Sequence, residues 1–183
     1  MSQQNIKQVI KQEYIKCAKD PVYFMKKYCW IQHPTRGRCQ FNLYPFQEAT
    51  LKLLQKHDRS IILKSRQLGI STLSAGISLW MMIFQKDKSI LVVATKQDTA
   101  KNLVTKVKFM YDSLPSWLQI GFTENNKLAL RLKNGSQIKA VSAAGDAGRS
   151  EAISLLIIDE AAFIETNKID EIWGSSQQTL STG

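Results

Sequence analysis

Histidine, paired cysteines and long apolar runs are scarce in this 183-residue sequence. The three cysteines, at positions 17, 29 and 39, form no C-x-x-C pair, and only His33 and His57 are available as further zinc ligands. We therefore expect structural thiols in a reducing compartment. No apolar run approaches the ~20 residues of a membrane span, and residues 1–12 contain no apolar stretch like that of a secretory signal. These absences predict a cytoplasmic protein with no membrane partner.

Acidic residues are also few: 15 Asp and Glu stand against 25 Lys and Arg, so the formal net charge is +10. Such an excess favours a polyanionic partner, which could be nucleic acid, nucleotide or an acidic membrane. A basic protein without any polyanion partner is an equally good interpretation of the charge alone. The series Lys96, Lys101, Lys106 and Lys108 predicts a solvated helix face first and a DNA-facing patch second.

Short apolar runs alternate with helical patterns along most of the chain. The first part predicts two helices within residues 5–28, the second starting after Asp20-Pro21, then a loop or hairpin at 33–42 and a helix from Pro45. Further on, we expect helices at residues 70–84, 97–114 and 170–180, and buried strands at 60–63, 89–94 and 153–158. A hairpin at 128–132 and 137–141 turns at Asn134-Gly135.

Continuously apolar strands that alternate with helices predict an α/β fold with a mainly parallel sheet flanked by helices. Ligands of such sheets bind at the carboxyl ends of the strands. We expect residues 1–42 to form a small helical N-terminal extension and residues 43–183 to form the α/β domain.

The turn after the first predicted strand has part of a phosphate-binding loop. Gly69 and Ser71 stand where a P-loop needs its glycine and its Mg²⁺-binding hydroxyl. Ile70 occupies the position of the usual lysine, and Lys64 occupies that of the first glycine. The loop by itself is equally compatible with an ordinary strand-to-helix turn.

Two acids follow the strand predicted at residues 153–158. Asp159 is suited to hold Mg²⁺ through water, and Glu160 is suited to orient or deprotonate an attacking water. Acids after a strand also cap helices, which is the alternative interpretation. The loop and the acids, in this order and about ninety residues apart, favour nucleotide binding.

Four motifs resemble those of the large terminase subunits of tailed phages, which package DNA. Residues 64–72 resemble the Walker A loop of that family, and residues 159–164 resemble its Walker B segment. Tyr44-Pro45-Phe46-Gln47 resembles its adenine-binding motif, in which the glutamine reads the base edge. Gly148-Arg149 resembles the position of its catalytic arginine.

The resemblance implies a P-loop NTPase fold of the ASCE type, ATP and Mg²⁺ as cofactors, and translocation of double-stranded DNA into a procapsid. It also implies a portal, a small terminase subunit and further copies of the chain as partners. In the family, a strand with a coupling motif and a nuclease domain follow the Walker B segment. We therefore expect no nuclease activity from this chain alone, and we expect residues 60–63 to lie at an unpaired sheet edge.

The resemblance also assigns roles to individual residues. The metal ligands are Ser71 and Asp159, and the catalytic residues are Glu160, Arg149, Lys64 and Arg66. Lys64 substitutes for the missing loop lysine, as in terminases that carry it at the start of the motif, and Arg149 acts as an arginine finger. The expected ATP contacts are Tyr44, Gln47, Lys64, Ser65, Arg66, Gln67, Leu68, Gly69, Ile70, Ser71 and Thr72.

Two other functions remain open on the sequence. A helicase-like DNA-dependent ATPase shares the glutamine motif and the Asp-Glu pair, but it usually keeps a Gly-Lys-Thr loop, which is absent here. A nucleic-acid-binding protein that has lost hydrolysis would also account for the altered loop.

Overall fold

The computed structural model describes residues 3–143 and 152–180. Six α-helices and seven strands follow in chain order within these residues. The helices are α1 (Gln3–Lys19), α2 (Pro21–Tyr28), α3 (Pro45–Lys56), α4 (Ile70–Phe84), α5 (Gln97–Asp112) and α6 (Thr166–Leu180). The strands are β1 (Trp30–His33), β2 (Gly37–Gln40), β3 (Ser89–Ala94), β4 (Phe122–Asn125), β5 (Ala129–Leu132), β6 (Gln137–Ser142) and β7 (Leu155–Asp159).

Five strands form the main sheet, in the order β4-β5-β6-β3-β7, and β1 and β2 form a separate hairpin. Strand β3 pairs in parallel with β6 on one side and with β7 on the other. The β4-β5 and β5-β6 pairs are antiparallel. The sheet is therefore parallel in one half and antiparallel in the other, and β7 lies at the edge of the parallel half.

Helices cover both faces of this sheet, as the sequence predicts. Alternate residues of β3 point to opposite sides: Ile90 and Val92 join the larger core with α4 and α5, whereas Leu91 and Val93 join a smaller core that includes Ile172 of α6. Burial on both faces explains why β3 is apolar from Ile90 to Ala94. Among the described residues, no helix combines the length and the apolar character needed to cross a membrane.

The first two helices pack against α4 and share its core. The Asp20 carboxylate caps α2 by accepting from the backbone N–H groups of Val22 and Tyr23. Where α2 crosses α4, a Cβ on Gly76 would lie 2.8 Å from the Met25 sulfur, so a larger residue there would require the Met25 side chain to shift.

Local sequence patterns predicted most of these elements. The structure confirms the two N-terminal helices, the helix from Pro45, the helix at residues 70–84 and the Asn134-Gly135 hairpin. It also confirms the strand at residues 89–94 and places the third predicted strand at Leu155–Asp159. Strand β4 was not predicted, because its sequence, Phe-Thr-Glu-Asn, is mostly polar. In the structure three of its four residues are exposed.

The prediction of a strand at residues 60–63 is wrong. These residues form no strand, and the side chains of Ile61 and Leu63 are fully exposed. The segment instead borders a groove of about 360 Å³ whose other wall includes Leu53 and Leu54 of α3. The expected sheet edge at residues 60–63 is therefore also wrong, because β7 is the edge strand. An apolar run becomes a strand only where a neighbouring strand accepts its hydrogen bonds.

Glu13 joins α1 to α2 through one carboxylate oxygen. This oxygen accepts hydrogen bonds from Lys27 Nζ (2.6 Å), the Tyr23 hydroxyl (2.6 Å) and the Tyr28 hydroxyl (2.9 Å). The hydrogen bonds from Lys27 and then Tyr23 lower the pKa of Glu13 from 4.5 to about 2. A lowered pKa means that the ionised form stabilises the folded protein above about pH 4.5, and that this contribution disappears as the pH falls towards 2.

We predict that Glu13→Gln lowers the free energy of unfolding by about 1 kcal/mol at pH 7, because Lys27 is half exposed and its ion pair is partly screened. In a chain of this size the Tm should fall by about 2–4 °C. Thermal melts from pH 7 down to pH 3 should show the wild-type and variant curves converging below about pH 4.5.

Glu48→Gln is the matched control. Glu48 pairs with the exposed Lys26 alone among the described contacts, so we expect a change below about 0.5 kcal/mol. A Glu13→Gln deficit that is the same at pH 7 and pH 3 would contradict the role of the ionised carboxylate.

Candidate functional site

Helix α4 begins at the loop that resembles a phosphate-binding loop. Gly69 is the N-cap residue and has a left-handed backbone (φ 69°), as does Gln67 (φ 64°). No side chain caps α4, so the N–H groups of its first turn are available to an anion. The side chain of Ile70 is buried in the larger core. Any contribution of Ile70 to ligand binding therefore comes from its backbone.

A hydroxyl and a carboxylate meet between α4 and the end of β7. Ser71 Oγ donates a hydrogen bond to Asp159 Oδ2 at 2.7 Å, although the two residues are 88 positions apart. The other oxygen, Asp159 Oδ1, accepts from the backbone N–H of Glu160 at 3.0 Å. Parallel pairing places Asp159 opposite Ala94 at the carboxyl end of β3. These are hard oxygen donors of the kind that Mg²⁺ prefers, so the pair fits that ion.

Glu160 stands beside this pair with an exposed side chain and a left-handed backbone (φ 55°). It occupies the N-cap position of a short 3₁₀ helix (Ala161–Phe163), but its side chain forms no capping hydrogen bond. The alternative interpretation of Glu160 as a capping residue is therefore not supported by its contacts. A left-handed non-glycine residue is uncommon and occurs often at functional sites.

The two cations of the loop are exposed. Lys64 and Arg66 lie in the stretch before α4, where the side chains of residues 61–68 are all exposed. Arg59, just upstream, lies over the ring of Trp173 in α6, 5.2 Å from its centroid. This contact connects the start of the stretch to α6. The residues that follow pair with none of the described strands.

An aromatic pair and a buried glutamine lie at the start of α3. The rings of Tyr44 and Phe46 are exposed and stacked, with centroids 5.7 Å apart and planes 8° apart. The side chain of Gln47 is 2% exposed. Its Oε1 accepts from the Tyr44 backbone N–H (3.0 Å), and its Nε2 donates to the Leu68 carbonyl (3.0 Å). The structure therefore brings the motif at residues 44–47 into contact with the loop.

Some site residues lie elsewhere or were not identified from the sequence. Arg149 and the adjacent Gly148 lie outside the described residues. Thr95, which directly follows β3, was not singled out. Its buried hydroxyl has no hydrogen-bond partner within residues 3–143 and 152–180. The sequence does contain a signal for Thr95, which is its position directly after an apolar strand, because ligands of α/β sheets bind at the carboxyl ends of the strands.

Residues 61–181 match the family model described as "Terminase large subunit, T4likevirus-type, N-terminal". The chain belongs to this terminase family. The match covers the loop, the β7 acids and all of α6, whereas the motif at residues 44–47 lies before it.

Solved structures of phage terminases share the fold. The large terminase of the HK97 bacteriophage is similar, with a TM-score of 0.69 and 21% identity over 88% of this chain and 35% of that one. A mutant form of the large terminase ATPase domain of Thermus phage P74-26 has a TM-score of 0.56 and 18% identity, over 78% of this chain and 62% of that one. This terminase chain thus spans about a third of the first protein and three-fifths of the second.

Proposed function

We propose that this terminase chain binds ATP with Mg²⁺ and hydrolyses it, as the motor domain that drives double-stranded DNA into a procapsid. One observation carries the proposal: the Ser71 hydroxyl and the Asp159 carboxylate meet at 2.7 Å, next to the uncapped start of α4. Oxygen donors and free backbone N–H groups side by side suit a metal-bound phosphate chain.

Each part of the site has a proposed role. The loop and the first turn of α4 bind the phosphates through backbone N–H groups, and Lys64 and Arg66 supply positive charge in place of the missing lysine. Ser71 and Asp159 would hold Mg²⁺, which neutralises charge on the transferring phosphoryl group. Glu160 orients the attacking water and accepts its proton. The stacked rings of Tyr44 and Phe46 offer a flat apolar surface to a base.

Other parts of the proposal rest on family membership. We propose that Arg149 completes the site as an arginine finger, acting within the chain or from a neighbouring copy. Residues 1–42 would act as an extension and residues 43–183 as the ATPase domain. In a cell, the partners would be double-stranded DNA, a portal, a small terminase subunit and other copies of the chain, in the host cytoplasm.

The first test is Glu160→Gln, which removes the base but keeps the size of the side chain. We expect Mg²⁺-dependent ATP hydrolysis to fall by at least about 100-fold, since general bases contribute about 10²–10⁴-fold. The affinity for ATP should stay within about threefold, because the ligands of the phosphates and of Mg²⁺ are unchanged. Single-turnover hydrolysis and equilibrium binding measure the two quantities.

Glu165→Gln is the matched control, because Glu165 is an exposed glutamate a few residues further along. We expect normal hydrolysis from it. Normal hydrolysis by Glu160→Gln would show that Glu160 is not the base.

The second test asks whether Lys64 replaces the loop lysine. We predict that Lys64→Ala abolishes turnover and weakens ATP binding by about tenfold or more, as expected for a lost charge-assisted contact to phosphate. Lys56→Ala, which changes an exposed lysine at the end of α3, serves as the control. Full activity in Lys64→Ala would contradict the proposal that Lys64 takes the role of the loop lysine.

Ile70→Ala should lower the free energy of unfolding by about 2–5 kcal/mol, because the side chain of Ile70 is in the core.

A further inference from the structure

The Gln47 side chain connects two backbone segments that sequence separates. Its oxygen accepts from the N–H of Tyr44 at the start of α3, and its nitrogen donates to the carbonyl of Leu68, 21 residues further on. One partner is a donor and the other an acceptor, so the orientation of the amide follows from its surroundings. Gln47 is one of few buried polar residues in the described part of the chain.

Little else in this part of the structure fixes the loop. The side chains of residues 61–68 are exposed, and the stretch pairs with no strand among those described. Leu68 stands between the two residues with left-handed backbones, Gln67 and Gly69. A Cβ on Gly69 would lie 2.7 Å from Gln47 Nε2, so the amide packs directly against the loop backbone.

We infer that Gln47 is a positioning residue, which holds the phosphate loop in its binding shape by tying Leu68 to the start of α3. The inference rests on the proposed nucleotide site. Its chemical basis is the burial of the amide, whose oxygen and nitrogen each already have a backbone partner.

The two roles of Gln47 differ in which ligands they affect. A residue that shapes the loop affects the binding of every triphosphate equally, with or without a base. A residue that reads adenine affects ATP, has a different effect on GTP, and has no effect on inorganic tripolyphosphate. Comparison of these three ligands therefore separates positioning from base recognition.

The binding experiment uses Gln47→Met, which keeps the volume of the buried side chain and removes both hydrogen bonds. We expect the Mg²⁺ complexes of ATP, GTP and tripolyphosphate to bind about tenfold more weakly, with similar factors for all three. Gln55→Met, an exposed glutamine on the same helix, should leave all three affinities unchanged. Loss of ATP affinity with unchanged tripolyphosphate affinity would overturn the inference in favour of base reading.

A second experiment needs no ligand. Gln47→Glu keeps an acceptor for the Tyr44 N–H but cannot donate to the Leu68 carbonyl. We expect α3 and the Tm to be preserved, and limited trypsin cleavage after Lys64 or Arg66 to become at least about threefold faster than in the wild type, because the loop opens locally. Unchanged cleavage would overturn the inference.

The two experiments also distinguish failure of the inference from failure of the proposed function. If the wild-type protein binds none of the three ligands, the proposal of a nucleotide site is wrong. The trypsin result still decides whether Gln47 holds the loop. If the wild type binds ATP and Gln47→Met binds all three ligands normally, the nucleotide site stands and the positioning role is wrong.

Discussion

Burial of β3 on both faces is the constraint on which the rest of the molecule depends. Its side chains alternate between two cores, so it must lie inside the sheet with a helix layer on each side. Parallel pairing with β7 then brings Asp159 level with Ala94 at the carboxyl end of both strands. Helix α4, which packs on the larger core, delivers its first turn to the same place. The candidate site is thus a consequence of how the sheet is covered.

Charge is distributed unevenly over this site. The loop side carries Lys64, Arg66 and the positive end of the α4 dipole, whereas the strand side carries Asp159 and Glu160. A phosphate chain bound to a divalent ion presents negative oxygens to one side and a cation to the other. The arrangement would therefore orient the proposed metal–phosphate ligand by its electrostatics before any specific contact is made.

Elements with a strong local pattern were predictable from the sequence, and contacts between distant segments were not. Helix α4 lies where its apolar pattern and the glycine before it predicted. The apolar run at residues 60–63 has the same local character as β3, yet it has no neighbouring strand among the described residues, and strand pairing is a non-local property. For the site, the acids and the loop hydroxyl were identifiable by spacing. The partners of the Gln47 amide were not, because Leu68 comes close only through the packing of α3 on the loop.

The contact between Ser71 and Asp159 also constrains how the chain folds. Residues 88 positions apart must meet, and the entropy of closing so long a loop is offset only when the strands between them are already packed. Helices and the β5-β6 hairpin involve neighbours in sequence and form early by comparison. The corner where Ser71 and Asp159 meet therefore belongs to the last structure gained on folding and the first lost on partial unfolding. A nascent chain released before β7 has helices α1 to α5 and the hairpin, but it lacks the corner where Ser71 meets Asp159.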